Sequence, residues 1–110
     1  MGREVEIEFR KVVRKEVLLD GTCTSSIRPR EAIRILVRDL SLSGCRFEPL
    51  KDYPFRLDEK IEGEFHLDDP QRTRIRKSAV VRSVLGTRIG CRFQDPPGIL
   101  DPDLGFYLRK

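Results

Sequence analysis

A chain of 110 residues with 38% apolar and 36% charged side chains suits one small domain with a modest core. No stretch approaches the ~20 consecutive apolar residues of a membrane span, and 22 basic against 18 acidic residues leave a net charge of +4. Of the 22 basic residues 16 are arginine, whose flat fork fits phosphate and the Hoogsteen edge of guanine, although most of them suit a solvated surface equally well.

In chain order, residues 1–15 (MGREVEIEFRKVVRK) are charged and poorly periodic and read as a flexible N-terminal arm. Val17 to Ser26 has strand-type content, interrupted at Asp20-Gly21 by a turn or bulge signal. Ile33, Ile35 and Val37 then alternate with polar residues, as a half-buried strand requires. After a Ser/Gly turn, Cys45 and Phe47 alternate with Arg46 and Glu48. Ile61, Phe65 and Leu67 oppose Glu62, Glu64 and His66, and Asp68 to Gln71 make a turn. A strand follows through Ala79 and Val81, then a turn, then a last alternating strand with Ile89, Cys91 and Phe93. Short, regularly spaced strands joined by turns indicate an antiparallel barrel or sandwich. Asp101-Pro102 suits a helix start, and Leu104, Tyr107 and Leu108 share one face of a short C-terminal helix that is expected to cover an open barrel end. The expected core comprises Ile35, Val37, Phe47, Phe65, Val81 and Phe93. A short echo, SGCRF at 43–47 and IGCRF at 89–93, reads as two similar strand starts whose phenylalanines meet in the core.

Cys23, Cys45 and Cys91 are widely spaced with no CxxC pair. An odd number of cysteines without a signal-peptide pattern reads as reduced thiols of a cytoplasmic protein. No ligand spacing joins them to the single histidine, His66, so no metal is assigned. No His/Cys or His/Ser arrangement or phosphate-cradling glycine loop marks an enzyme.

The remaining feature is Asp-Leu-Ser-Leu-Ser-Gly, Asp39 to Gly44, standing between two alternating strands. As turn residues alone, Asp39 caps, Ser41 makes a local backbone bond and Gly44 supplies a positive φ. The same residues also suit a ligand. A carboxylate accepts from the guanine N1–H and N2 amine, a serine donates to phosphate, and glycine lets a backbone approach. Asp39 to Gly44 followed by Cys-Arg-Phe resembles the second signature of PilZ domains, D/N-x-S-x-x-G, found in bacterial receptors for cyclic di-GMP. An Arg-x-x-x-Arg pair, Arg10 and Arg14, precedes the first strand as the arm of that family does. The same spacing recurs at Arg30/Arg34, Arg34/Arg38, Arg72/Arg76 and Arg88/Arg92, so position in the chain, not spacing, selects the pair.

The resemblance covers nearly the whole chain. It implies an all-β fold, a six-stranded antiparallel barrel of split-barrel type with a short C-terminal helix, formed by residues 16–110 behind the arm. It implies a non-enzymatic receptor that needs no cofactor and binds cyclic di-GMP through Arg10, Arg14, Asp39, Ser41 and Gly44. The arm would order on binding, and the signal would pass to an unidentified effector protein. Some family members carry a second arginine beside the first, where this chain has Lys11. Two other readings stand beside it: a small basic barrel that binds nucleic acid, disfavoured by the absence of Trp and by core positions for the strand phenylalanines, and a PilZ-like protein-interaction module that binds no nucleotide.

Overall fold

A computed structural model describes residues 14–94 and 102–109. Six strands, β1 (Lys15–Ser25), β2 (Ile33–Leu40), β3 (Gly44–Pro49), β4 (Lys60–His66), β5 (Arg74–Leu85) and β6 (Arg88–Phe93), precede one helix, α1 (Pro102–Leu108). All neighbouring strands pair antiparallel, and the order β1-β2-β3-β6-β5-β4 closes into a barrel. Closure follows from β1, which pairs with β2 along most of its length and with β4 from Gly21 onward. With no edge strand, every strand places one face inward, which is why the period-two alternation is so clear in the sequence.

The inward face is the core. Ile35, Val37, Phe47, Phe65, Val81 and Phe93 are all buried, as the alternation predicts. Phe47 and Phe93 line one small interior space, but the ring that meets Phe47 edge-on is Phe55, at 5.4 Å between centroids. Phe55 and Tyr53 belong to the segment between β3 and β4, which lacks alternation, yet both rings are buried. Tyr53 and Ser25 hydroxyls donate to the buried carboxylate of Glu59, and the Arg56 amide donates to its other oxygen at 2.8 Å. Three donors onto one buried acid meet the demand that a buried charge be fully hydrogen-bonded.

The Asp20-Gly21 signal does not break β1, which runs through it without interruption. A Cβ on Gly21 would stand 2.5 Å from the Glu64 carbonyl oxygen, so the glycine serves close approach of β4. The register shift of β1 lies earlier, between Glu16 and Leu19. A second surprise is Lys77, which occupies an inward position of β5 and holds its ammonium 5.3 Å from the Phe93 ring centroid.

One end of the barrel gathers the starts of β1, β3 and β5 and the ends of β2, β4 and β6. Helix α1 packs there with Leu104, Tyr107 and Leu108 buried. The Tyr107 hydroxyl donates to Asp68, in the turn after β4, and the Lys15 ammonium lies 4.2 Å from the Tyr107 ring centroid. Both contacts tie the helix to the rim, as expected of a helix covering a barrel end. The expected cap, Asp101, lies outside the described residues. No helix among the described residues is long and apolar enough to cross a membrane.

Candidate functional site

The chain leaves β2 and enters β3 at the helix-capped end. Ser41 builds this turn: its amide donates to the Gly44 carbonyl at 2.9 Å, and its hydroxyl oxygen accepts from the Ser43 and Gly44 amides, each at 3.2 Å. Two backbone donors held by one buried oxygen make an ST-type turn that sets the loop before any ligand arrives. Gly44 is not among the glycines with positive φ. A Cβ there would stand 2.1 Å from the Cys91 carbonyl oxygen, so glycine is required by the approach of β6 rather than by a left-handed turn.

Asp39 sits at a register shift of β2. Val37 faces Phe47, but Asp39 already faces Arg46. The extra residue breaks the alternation and re-aims the carboxylate, a common use of a bulge beside a binding site. The Asp39 carboxylate lies 3.8 Å from the Arg14 guanidinium and 4.0 Å from that of Arg46. Its side chain is 19% exposed while both arginines are about half exposed, so the acid sits lower than the bases that flank it.

These groups border an open cleft of ≈ 330 Å³ on the outer face of the barrel, over β3 and β6. Among the described residues it contains four arginines, Arg14, Arg46, Arg82 and Arg92, and one carboxylate, that of Asp39. The far wall comes from β5, where a second register shift between Val81 and Ser83 turns Arg82 and Ser83 toward the cleft. Arg82 also lies 3.5 Å from Asp58. Four guanidiniums around one acid in a partly enclosed hollow favour an anionic ligand, and serine hydroxyls beside them add neutral hydrogen-bonding groups.

Beneath the cleft, Cys45 and Cys91 face each other across β3 and β6 with sulfurs 3.4 Å apart, and both thiols are free. The hydrogen bond given by Cys45 holds the Cys91 thiol below its ordinary pKa, while donating that bond and burial push Cys45 up. Burial pushes the third thiol, Cys23, up to about 12. Among the described residues no group of three metal-ligating side chains is placed to hold an ion.

Four of the five residues expected in the site are therefore placed at one cleft: Arg14, Asp39, Ser41 and Gly44. Arg10 lies outside the described residues. Sequence reasoning missed Arg46, Arg82 and Arg92. The signal for two of them was present in the repeated Gly-Cys-Arg-Phe, at Gly44–Phe47 and Gly90–Phe93.

The PilZ domain family matches residues 8–108. The chain belongs to the PilZ family. Among solved structures, this PilZ domain is similar to the Bacillus subtilis inhibitor of motility MotI/DgrA, with a TM-score of 0.72 and 21% identity, covering 91% of this chain and 47% of that one. It is also similar to the PilZ domain of CeSA from a cellulose-synthesizing bacterium, with a TM-score of 0.61 and 11% identity, covering 87% of this chain and 90% of that one. At these identities the likeness is one of fold, and the PilZ domain described here spans about half the length of the MotI/DgrA chain. No curated protein sequence matches it.

Proposed function

We propose that this PilZ domain is a bacterial, cytoplasmic receptor module that binds cyclic di-GMP without hydrolysing it and passes the signal to a partner protein. The observation that carries this is the meeting of Arg14 and Asp39, one residue from each family signature, 3.8 Å apart at the mouth of a single cleft. Arg10 and Arg14 take phosphate or the O6/N7 edge of guanine, for which a guanidinium fork is suited. Asp39 accepts from the guanine N1–H and N2 amine. Ser41 and Gly44 hold the turn that keeps Asp39 in place, a role supported by the bonds of the Ser41 hydroxyl. In the free protein Asp39 partly offsets the charge of Arg14 and Arg46. Exchange of these long contacts to half-exposed arginines for guanine and phosphate costs little, because ion pairs open to solvent contribute about 0–1 kcal/mol.

Binding of single-stranded nucleic acid would call for bases stacking on exposed rings. Among the described residues only Phe106 exposes its ring, while Phe47, Phe55, Phe65, Phe93, Tyr53 and Tyr107 are buried. Calorimetric titration with cyclic di-GMP, with GTP as control, tests the proposal. A saturable heat with the cyclic dinucleotide alone is expected. At ~100 times its dissociation constant the ligand should also stabilise the fold by about 2.7 kcal/mol. No heat and no thermal shift on folded protein would overturn it.

A further inference from the structure

The repeated Gly-Cys-Arg-Phe is more than a likeness of two strand starts. The strands that carry it are direct neighbours, and their register pairs Gly44 with Arg92, Cys45 with Cys91 and Arg46 with Gly90. This pairing is symmetric about Cys45–Cys91: rotation by half a turn about an axis midway between the two cysteines, normal to the sheet, exchanges one Gly-Cys-Arg with the other. By strand alternation both cysteines point inward and both arginines point outward, into the cleft. Each arginine faces a glycine across the ladder, so the strip between the two guanidiniums carries no side chain of β3 or β6. The arginines are diagonal neighbours, which places their backbones about 7–8 Å apart. A Cβ on Gly44 would stand 2.1 Å from the Cys91 backbone oxygen and is refused, whereas one on Gly90 would stand 2.3 Å from the Ser83 hydroxyl oxygen and would require that side chain to rotate.

We infer that Arg46 and Arg92 form a two-fold-related pair of forks that grips a two-fold-symmetric dianion, one phosphate to each arginine. This rests on the reading of the cleft given above and extends it. A cyclic dinucleotide with two equivalent phosphates matches the pair, whereas a mononucleotide engages only half of it. The pair is thus a device for selecting the cyclic dimer over its half, separate from the arm and from Asp39. Arg82 lines the same cleft but lies off the axis and beside Asp58, so it has no counterpart.

The test is calorimetric titration of the whole chain and its variants with cyclic di-GMP and with GMP. Arg46→Ala and Arg92→Ala should each weaken cyclic di-GMP binding by roughly tenfold or more, the usual scale for one lost charge-assisted contact. The preference for cyclic di-GMP over GMP should fall in both. Arg76→Ala, outside the cleft and paired with Glu64, should change affinity by less than about threefold, the range of an ordinary surface substitution. Arg46→Lys and Arg92→Lys keep the charge but lose the fork, and should bind more weakly than wild type. All of these side chains are exposed, and unchanged melting of the free variants checks that folding is intact. Wild-type binding that survives both alanine changes would overturn the paired-fork inference and leave the receptor function standing. The same holds for an Arg76→Ala loss as large as theirs, which would mean diffuse attraction, and for lysine variants that bind as wild type. A wild type that binds neither ligand would overturn both.

Discussion

Two clefts of equal size, each ≈ 330 Å³, lie on the outer wall of this barrel, and only one has the character of a ligand site. The first crosses β1, β4 and β5 above Gly63, with two acids, Glu62 and Glu64, and two bases, Arg76 and Lys77, around it. Its charges are balanced locally, since Arg76 donates to Glu64 at 2.9 Å. The second crosses β3 and β6, where four arginines surround a single carboxylate. Volume therefore does not distinguish them. The second hollow lies where Gly44 and Gly90 leave gaps in the outward row of β3 and β6, whereas Gly63 belongs to the inward row of β4, opposite Cys23 and Lys77. The difference lies in the excess of positive charge among the described residues of the second cleft, and in two register shifts, at Asp39 and at Arg82, that turn polar side chains toward it. A ligand of high negative charge can satisfy the second cleft, whereas the first already satisfies itself.

The largest effect expected from this contrast is on ligand binding. Arg14→Ala and Asp39→Ala should each lower affinity for cyclic di-GMP by roughly ten- to a hundredfold, since one charge-assisted hydrogen bond contributes about 1.5–3 kcal/mol. Arg76→Ala, in the balanced cleft, should leave affinity nearly unchanged. Equal losses at Arg14 and Arg76, measured by calorimetry, would erase the distinction between the two clefts.

The glycines sharpen the contrast in stability. Gly44→Ala would press a methyl group against the backbone of Cys91, with the nearest oxygen at 2.1 Å, and should cost about 1–3 kcal/mol as overpacking does. Gly63→Ala meets nothing closer than 3.9 Å and should be neutral or slightly stabilising, because alanine loses less backbone entropy on folding. Denaturant unfolding of the two variants reads the difference directly. A Gly44→Ala variant as stable as wild type would mean that β3 and β6 can move apart beneath the arginines.

A smaller and broader effect is expected in alkali. Burial raises the Cys23 thiol from 9.0 to about 12, and burial and the bond to Asp68 raise Tyr107 as well. Both groups hold their protons more tightly in the folded chain than in the unfolded one. Their contribution to stability is therefore complete below about pH 9 and is lost as pH climbs toward about 12. Melting temperature should fall over that window, and Cys23→Ala should make the fall shallower. Cys23 borders the balanced cleft, so the fall should occur with or without ligand in the arginine cleft. A Cys23→Ala profile parallel to wild type would assign the alkaline loss to other groups.

Alternation was enough to place β2 to β6 and the barrel core, because a closed sheet makes every strand obey the same inward-outward rule, whereas β1 was legible only by its strand-type content. The unbroken β1 shows its limit: Asp20-Gly21 has the composition of a turn, and only the approach of Glu64 explains a glycine in mid-strand. The rings of Tyr53 and Phe55 were illegible for a related reason, since a loop that folds back into a barrel end has no period to reveal it. In the same way the inward Lys77 stands in a row that alternation marks as core, yet lysine carries no local sign of burial. Among site residues, Asp39, Ser41 and Gly44 were visible because they fall within one short segment, Asp39 to Gly44, whose local chemistry is that of a turn. Arg14 was visible by its position ahead of β1. Arg46 and Arg92 were not, although their repeated Gly-Cys-Arg stood in plain view, because sequence carries the repeat without the register. The amino-acid order determined which residues face out and which turns hold a carboxylate. Only tertiary pairing of β3 with β6, strands separated by the whole of β4 and β5, decided that two outward arginines share one cleft about a common axis. Register between distant strands is set by the packing of the entire barrel, and no local segment contains it.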